Sequence, residues 1–279
     1  HVSVAASAGH AALPVHRPPR VAVVSTGSEL VAAGVAPPPG MLPDSNSVLL
    51  AAAARSLGAY VVRRGAVGDT AATVVAALDA ALDATWPDGA VAPPDLVVTT
   101  GGVSAGAFDV VREVLDPATR AATPWADAVT DARLVAVGMQ PGKPQGLGRW
   151  RGVPWLALPG NPVSAFVSFE LFVRPAVDRL RGAVDPRRTL VPRVAAEGWS
   201  SPVGREQLVL VRHVAPDGAR VVRASGARPA GDDGRDGVPA GGSGSHRLSA
   251  LAHADAVAVV PAEVGAVAPG DEVRVLLLD

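Results

Sequence analysis

Residues 96–102 read LVVTTGG, an apolar run that ends in two hydroxyl side chains and two glycines. The run is short, rich in β-branched residues and closed by a turn signal, so it predicts a buried β-strand at Leu96–Thr100. A similar run at Val21–Ser25 is also followed by Thr and Gly, and it predicts a second strand of the same kind. Two further strands are predicted at Tyr60–Val67 and Trp155–Leu158.

Helical segments separate these strands. Apolar side chains at helical spacing predict four helices. The first is Ser45–Leu57, capped by Asp44, and the second runs from its cap Asp69 to about residue 84. The third is Asp109–Leu115, and the fourth runs from Pro162 to about residue 181 with a kink at Pro175. Strands that alternate with helices across short connections favour a parallel sheet. We therefore expect an α/β fold of three layers, with a mostly parallel sheet that carries helices on both faces.

The chain changes character after Gly182. Residues 183–279 offer short alternating strands and no long helical segment, which predicts a small all-β domain. Residues 1–19 are rich in Ala, His and Pro and show no complete element, so we interpret them as an N-terminal tail, the remnant of a missing domain. The expected domains are an α/β domain at 20–182 and a β-domain at 183–279.

Composition narrows the function classes. The net charge is −1, and basic and acidic side chains balance in both halves of the chain, which argues against a nucleic-acid partner. The apolar segments are too short or too interrupted to predict a membrane span. The sequence has no cysteine, which removes thiolate metal sites and a cysteine nucleophile and fits a reducing, cytoplasmic location.

Lysine usage singles out one loop. Of the 25 basic residues only Lys143 is a lysine, and it lies in the stretch Pro141-Gly142-Lys143-Pro144. Lysine carries a compact point charge, whereas arginine presents a wide planar fork. The exception predicts a tight anion pocket in which a guanidinium would not fit. The alternative is an ordinary exposed lysine in a tight turn.

Other candidate residues follow predicted strands, at the sheet edge where open α/β folds bind ligands. Gly101 and Gly102 permit a close approach of the backbone to an oxyanion. Asp109 is either a magnesium ligand or only a helix cap. The two asparagines, Asn46 and Asn161, both stand at predicted helix starts, where capping and a ligand role fit equally well. Loosely placed carboxylates complete the set: Glu29, Asp44, Asp69 and Asp109.

Six motifs then occur in a fixed order: STGSEL (25–30), DSN (44–46), GDT (68–70), TTGGVSAGAFD (99–109), MQPGKPQGLG (139–148) and LPGNPVSAF (158–166). Together they resemble the molybdopterin molybdenumtransferase family, which includes MoeA and the gephyrin E domain. The resemblance is strong over 20–182 and weaker over 183–279. It implies a molybdopterin-binding α/β core, a trailing β-domain and two N-terminal domains that this sequence lacks.

The resemblance implies insertion of molybdate into adenylylated molybdopterin, with Mg²⁺ or Zn²⁺ assistance and release of AMP. The family's homodimer is expected for the full-length protein, and the fragment alone is expected to be weakly active. The matching positions imply acidic catalytic residues at Glu29, Asp69 and Asp109, of which Asp69 and Asp109 are also metal ligands. They imply a cation near molybdate at Lys143 and a phosphate loop at Thr100, Gly101, Gly102 and Ser104. They imply a pocket wall at Pro159, Gly160, Asn161, Pro162 and Ser164.

Two departures from the family pattern stand out. Many members have lysine where this chain has Gln140, and many have an arginine near Leu210, where Arg205 and Arg212 are the available substitutes. Two other functions stay open. The first is adenylyl transfer to molybdopterin, which uses a similar core but is disfavoured by the β-domain and the PGKP and LPGNP loops. The second is a non-catalytic pterin-binding or scaffold module.

Overall fold

A computed structural model describes residues 1–103, 109–214, 219–224 and 248–278. The strands, numbered along the chain, are β1 (Arg20–Thr26), β2 (Leu30–Val31), β3 (Leu42–Pro43), β4 (Tyr60–Val67), β5 (Leu96–Thr100), β6 (Val129–Ala136), β7 (Met139–Gln140), β8 (Pro144–Trp150), β9 (Val153–Leu158), β10 (Val191–Ala195), β11 (Trp199–Ser200), β12 (Glu206–His213), β13 (Arg220–Arg223), β14 (Ala256–Val260), β15 (Ala266–Val267) and β16 (Glu272–Leu277).

The helices are α1 (Val2–Ser7), α2 (Asn46–Ser56), α3 (Ala71–Leu82), α4 (Val110–Leu115), α5 (Pro117–Arg120), α6 (Pro162–Ser168), α7 (Arg174–Leu180) and α8 (Leu248–Leu251). A 3₁₀ turn at Ala126–Ala128 precedes β6, and a π-helical segment at Phe169–Val173 joins α6 to α7. Within the described part of the chain, no helix is both long and apolar enough to cross a lipid bilayer.

Six strands form the first sheet, in the order β4-β1-β5-β9-β8-β6. The first four are parallel, whereas β8 and β6 each run antiparallel to the neighbour before it. Their apolar runs explain the burial, because every residue of β5 and all but the first of β1 are buried. Strands buried on both faces are typical of parallel sheets covered by helices.

Side chains that alternate along these strands supply two cores. On one face, Ala22 and Val97 pack with apolar residues of α3 and α4. On the other face, Val23 and Val98 pack with residues of α2, the π-helical segment and α7. The predicted three-layer α/β fold, with a mostly parallel sheet and helices on both faces, is confirmed.

The cap of α3 differs from the prediction. Thr70, not Asp69, caps this helix: its side chain accepts from the Thr73 amide at 3.2 Å, and the Thr73 hydroxyl accepts from the Thr70 amide at 3.3 Å. Such a reciprocal pair satisfies two amides that have no partner within the helix. Asp69 is thereby released from capping and turns toward the loop after β1.

The long C-terminal helix of the α/β layer is interrupted before its proline. Pro175 lies in the first turn of α7, and the π-helical segment stands directly before it. Proline has no amide hydrogen to donate to the carbonyl four residues earlier, here that of Leu171. At the predicted irregularity the helix therefore has a widened turn, which starts several residues before Pro175.

The second sheet has the order β13-β10-β16-β14-β12-β7, and β13 also pairs with β12. This extra pairing closes a ring of five strands around an apolar core, beside which β11 and β15 form a separate pair. The predicted β-rich character of this part is confirmed, with the addition of the short helix α8. The division at residues 182 and 183 stays a prediction.

Two sets of contacts join the β-rich part to the α/β part. Strand β7 comes from the α/β part of the sequence and pairs with β12 in parallel. Glu170, buried in the π-helical segment, forms salt bridges with Arg174 and Arg188, and Arg188 also donates to the Leu277 carbonyl. A buried carboxylate requires such partners, so these groups fix β16 against the long helix.

The N-terminal residues lie along the outside of the α/β part. Five of the six residues of α1 are exposed, Ala5 is partly exposed, and none is buried. Arg17 makes two hydrogen bonds to the Asp95 carboxylate, at 2.6 and 2.7 Å, just before β1 begins. The Asp95 carboxylate also accepts from the Arg20 amide at 2.8 Å, so this residue links the tail to the starts of β1 and β5.

Candidate functional site

A cleft of about 470 Å³ opens at the carboxyl ends of the parallel strands. The strand ends lie side by side there, because Thr26 pairs with Val67, Ser25 with Thr100, and Thr100 with Leu158. The volume is that of a small-molecule site. The lining residues are Thr26, Gly27, Glu29, Leu30, Asn46, Asp69, Thr100, Gly101, Gly102, Val103, Asp109, Pro144, Pro159, Gly160, Asn161 and Ser164.

Glycines allow the floor of the cleft to be built from backbone. Gly101 has φ +99°, and a Cβ there would lie 2.4 Å from the Thr26 carbonyl oxygen. A Cβ on Gly160 would lie 3.2 Å from the Gly101 Cα. The loops after β1, β5 and β9 therefore touch each other through backbone atoms, an approach that any larger residue would prevent.

Asn46 ties these loops together. Its Nδ2 donates to the Gly160 carbonyl at 2.7 Å and to Thr100 Oγ1 at 3.2 Å. The Thr100 hydroxyl in turn donates to the Pro159 carbonyl at 2.8 Å. Asn46 thus joins the first turn of α2 to the loops after β5 and β9, a role that the helix-start position alone did not distinguish from capping.

The second asparagine is a helix cap. Asn161 Oδ1 accepts from the Val163 amide at 3.2 Å and the Ser164 amide at 3.3 Å, at the start of α6. Pro162 occupies the first helical position, where no amide is needed. Asn161 and Ser164 line the cleft, whereas Pro162 does not. The amides of Val163 and Ser164 are bonded to Asn161, so they are less available to an anion than the sequence suggested.

Three carboxylates face the cleft. The Glu29 side chain folds back over Gly27, whose hypothetical Cβ would lie 2.7 Å from Glu29 Oε1. Asp69 Oδ2 accepts from the Ser28 amide at 2.8 Å, and the Ser28 hydroxyl accepts from the Asp69 amide at 3.1 Å. Asp109 stands at the start of α4, and its side chain does not cap that helix. The predicted acidic residues are therefore brought to one cleft.

The donor set fits a magnesium ion that the substrate helps to bind. Glu29, Asp69 and Asp109 supply carboxylate oxygens, which Mg²⁺ prefers. Among the described residues, no three acidic or histidine side chains stand close enough to form a complete metal site. Magnesium sites at phosphates need only one or two carboxylates, because phosphate oxygens and water complete the octahedron.

Asp44 does not join these carboxylates. It is buried, with Oδ2 accepting from Ser25 Oγ at 2.6 Å and Oδ1 accepting from the Ser47 amide at 3.0 Å. The Ser47 hydroxyl also donates to it, and Arg63 lies 3.9 Å away. The interpretation of Asp44 as a loose carboxylate is therefore wrong: it links the end of β1 to the start of α2.

Lys143 stands beside the cleft rather than in its lining. Its side chain is exposed, and the neighbouring Pro144 lines the cleft. Its role as a cation near molybdate stays a prediction. Ser104, the remaining residue of the predicted phosphate loop, lies outside the described residues. Arg205 and Arg212 are exposed and do not line the cleft.

The sequence analysis did not assign a role to every lining residue. Leu30, Val103 and Pro144 line the cleft and lie within the quoted motifs, but as apolar residues they were given no role. Thr26 and Gly27 carried a usable signal, since Thr26 ends β1 and Gly27 follows it, as Thr100 ends β5 and Gly101 follows it. Two parallel strands with the same Thr-Gly ending place both glycines at one edge of the sheet.

Comparison with protein families gives two matches. Residues 22–179 match the family described as "Probable molybdopterin binding domain". Residues 231–278 match the "MoeA C-terminal region (domain IV)".

Curated relatives carry the corresponding name. "Molybdopterin molybdenumtransferase 2" of Mycobacterium tuberculosis is 40% identical over 275 residues, which are 98% of this chain and 60% of the relative. "Molybdopterin molybdenumtransferase 1" of the same organism is 32% identical over 282 residues, 99% of this chain and 58% of the relative. The chain thus spans about 60% of the length of these relatives.

Solved structures share the fold over nearly the whole chain. A molybdopterin biosynthesis MoeA protein from Pyrococcus horikosii has a TM-score of 0.74 at 24% identity, covering 99% of this chain and 58% of its own. A molybdenum cofactor biosynthesis protein from Pyrococcus furiosus has a TM-score of 0.63 at 21% identity, covering 99% of this chain and 74% of its own. At these identities the likeness shows the fold alone.

Proposed function

This chain belongs to the molybdopterin-binding family of the molybdopterin molybdenumtransferases, and from this premise we propose that its protein inserts molybdate into adenylylated molybdopterin and releases AMP. The observation that carries the proposal is the cleft itself. Glycine-rich loops, three carboxylates and a loop with the single lysine meet at one edge of a parallel sheet. Backbone amides and a lysine suit phosphate and oxyanion groups, and carboxylates suit a divalent cation that accompanies phosphates.

The loop after β5 binds the phosphates of the pterin nucleotide. Thr100, Gly101 and Gly102 form the floor of the cleft directly before α4, where glycine backbone lets a phosphate group approach closely. Pro159, Gly160 and Asn161 form the opposite wall and orient the pterin. Asn46 holds these two loops at a fixed distance, so that the substrate meets a preorganised surface.

Asp69 and Asp109 would hold Mg²⁺, and Glu29 would add negative charge in the same cleft. The ion would supply Lewis-acid polarisation of the phosphoanhydride of the substrate. The Ser28 amide keeps the Asp69 carboxylate oriented through its 2.8 Å hydrogen bond. Zn²⁺ is the alternative ion, although an all-oxygen donor set favours Mg²⁺.

Lys143 attracts molybdate to the mouth of the cleft. Lys143 is exposed and directly precedes Pro144, a lining residue. The two dithiolene thiols of the pterin then bond to molybdenum, and one oxo ligand leaves as water with their two protons. Water cleaves the phosphoanhydride, which releases AMP and leaves the terminal phosphate on the pterin.

One set of assays separates this function from the two alternative functions. The protein at its full natural length is mixed with adenylylated molybdopterin and Mg²⁺, and AMP is measured by chromatography with and without molybdate. Molybdate-dependent AMP release is the expected result. Release of pyrophosphate from ATP and molybdopterin would identify an adenylyltransferase instead, and pterin binding without any release would identify a scaffold. Parallel reactions with tungstate determine which oxyanion is preferred.

We also propose that the full-length protein is a cytoplasmic homodimer, on the strength of the family resemblance. The chain described here spans about 60% of its curated relatives, so it is expected to be a poor enzyme alone. Turnover of residues 1–279 is compared with that of the protein at its full natural length. Equal rates would show that residues 1–279 hold the complete site. Light scattering measures the oligomeric state of both.

A further inference from the structure

Both peptide groups that flank Lys143 are hydrogen-bonded. Gln145 Nε2 donates to the Gly142 carbonyl at 2.7 Å, which belongs to the peptide group before Lys143. The Val137 amide donates to the Lys143 carbonyl at 2.8 Å, in the peptide group after it. The backbone of Lys143 is therefore held on both sides although its side chain is exposed.

Gln145 makes a second bond that reaches the wall of the cleft. Its Nε2 also donates to Ser168 Oγ at 2.7 Å, and both side chains are buried. Ser168 lies on α6 one turn after Ser164, which lines the cleft. Residues four positions apart share one face of a helix. One helix face thus carries both the cleft wall and the anchor of the Lys143 loop.

The loop is packed tightly at this anchor. Gly142 has φ +103°, and a Cβ there would lie 2.7 Å from Met139 Cε and 3.1 Å from Ser168 Oγ. Gly142 therefore packs closely against Met139 and Ser168, at the point where Gln145 bonds both the Gly142 carbonyl and Ser168. Because both hydrogens of its Nε2 are used, Gln145 links two elements without a spare donor.

We infer that Gln145 is a positioning residue for Lys143: it fixes the Lys143 backbone against the helix that forms the cleft wall. The ammonium group then samples a small volume at the mouth of the cleft, which lowers the cost of ordering it on an oxyanion. This inference rests on the proposed role of Lys143 in binding molybdate. Gln145 itself does not line the cleft and touches no substrate.

The test uses Gln145→Met in the protein at its full natural length, since methionine has a similar volume and no donor. The molybdate concentration for half-saturation of AMP release should rise about five- to tenfold, the effect of a lost buried hydrogen bond. Affinity for adenylylated molybdopterin, measured by calorimetry without molybdate, should not change. Ser168→Ala removes only the anchor on α6 and should shift molybdate saturation in the same direction by a smaller factor.

The control is Trp86→Phe, which removes a buried donor elsewhere. Trp86 Nε1 donates to the Ala92 carbonyl at 2.8 Å, and Trp86 does not line the cleft. This variant should lose stability but keep the wild-type molybdate saturation. If all three variants raised the half-saturating molybdate concentration to the same extent, the cause would be a general loss of stability, and the positioning role would be overturned.

A double-mutant cycle with Lys143→Ala tests whether Gln145 acts through Lys143. In the Lys143→Ala background, Gln145→Met should have no further effect on molybdate saturation, because the group it positions is gone. Additive effects overturn the inference, as does an unchanged saturation curve for both Gln145→Met and Ser168→Ala. If Lys143→Ala leaves molybdate saturation unchanged, the proposed role of Lys143 fails together with the inference. If Lys143→Ala raises the half-saturating molybdate concentration and Gln145→Met does not, the positioning role alone is overturned.

Discussion

Asn46 Nδ2 lies 2.7 Å from the Gly160 carbonyl oxygen and donates a hydrogen bond to it across 114 positions of sequence. The same amide group reaches Thr100 Oγ1, so a single side chain holds the loops after β5 and β9 against the start of α2. Asn46 acts as a donor at this point. Asn161, the other asparagine of the chain, acts as an acceptor for two amides of α6.

Because Asn46 donates and Asn161 accepts, replacing each with aspartate should affect the protein differently. Asn46→Asp replaces the donor with a carboxylate oxygen that repels the Gly160 carbonyl, so it should lower the free energy of unfolding by about 1–3 kcal/mol. It should also weaken binding of the pterin nucleotide by about tenfold. Urea denaturation and calorimetry measure the two effects. Asn161→Asp is the comparison, because a carboxylate keeps the bonds that Asn161 Oδ1 accepts from the amides of α6, so its loss of stability should be smaller. Equal losses in the two variants would contradict the assignment.

This difference also marks what sequence could and could not predict. The buried strands were recognised because β1 and β5 are continuous apolar runs, and the packing of both sheet faces follows from that. The two-residue strands β2, β3, β7, β11 and β15 have no periodicity to detect. The separate roles of Asn46 and Asn161 depend on contacts between distant loops. A helix-start position alone is compatible with either role.

Asp109→Asn should reduce Mg²⁺-dependent AMP release on the order of 10- to 100-fold, because a neutral amide is a weak ligand for a hard cation. The melting temperature of the variant, measured alongside, separates a loss of metal binding from a loss of the fold. Initial rates are measured across a range of Mg²⁺ concentrations.

Asp116→Asn is the corresponding control. Asp116 Oδ1 accepts from the Ala118 amide at 2.9 Å at the start of α5, and this residue does not line the cleft. Asparagine caps helices as well as aspartate does, so the rate should be that of the wild type. Full activity of Asp109→Asn at every Mg²⁺ concentration would remove Asp109 from the metal site.

Lys143→Arg should impair molybdate use almost as much as Lys143→Ala. A wider guanidinium directs its donors toward bidentate partners and cannot replace a compact ammonium group on an oxyanion. A charge-assisted hydrogen bond of roughly 1.5–3 kcal/mol corresponds to about a 10- to 100-fold rise in half-saturating molybdate. Molybdate saturation curves of the wild type and both variants measure it. If the arginine variant saturates with molybdate like the wild type, Lys143 is only an exposed turn residue.

Acid should weaken the attachment of the N-terminal tail. Burial opposes ionisation of Asp95, but the Arg17 guanidinium and the Arg20 amide outweigh it, so the pKa of Asp95 lies below its ordinary value. A carboxyl group with a lowered pKa in the folded state stabilises the fold above its ordinary pKa of about 3.9, and this contribution is lost as the pH falls through the lowered value.

Asp95→Asn should therefore cost less than about 1 kcal/mol at pH 7, because Arg17 is largely exposed and the pair is screened by solvent. At pH 2 the variant and the wild type should be nearly equally stable. Urea denaturation at several pH values measures this difference. A gap between the two proteins that persists at low pH would mean that a neutral contact, rather than the ionised carboxylate, is responsible.

The pairing of β7 with β12 has a consequence for how such proteins diverge. Met139 and Gln140 precede the Lys143 loop and take their partners, Glu206 and Gln207, from the β-rich part of the chain. Genetic recombination at the predicted boundary near residue 182 would therefore exchange the strand that pairs with β7. A hybrid of two relatives inherits a functioning loop only when both parents supply compatible strands, so the two parts of the gene are expected to evolve together.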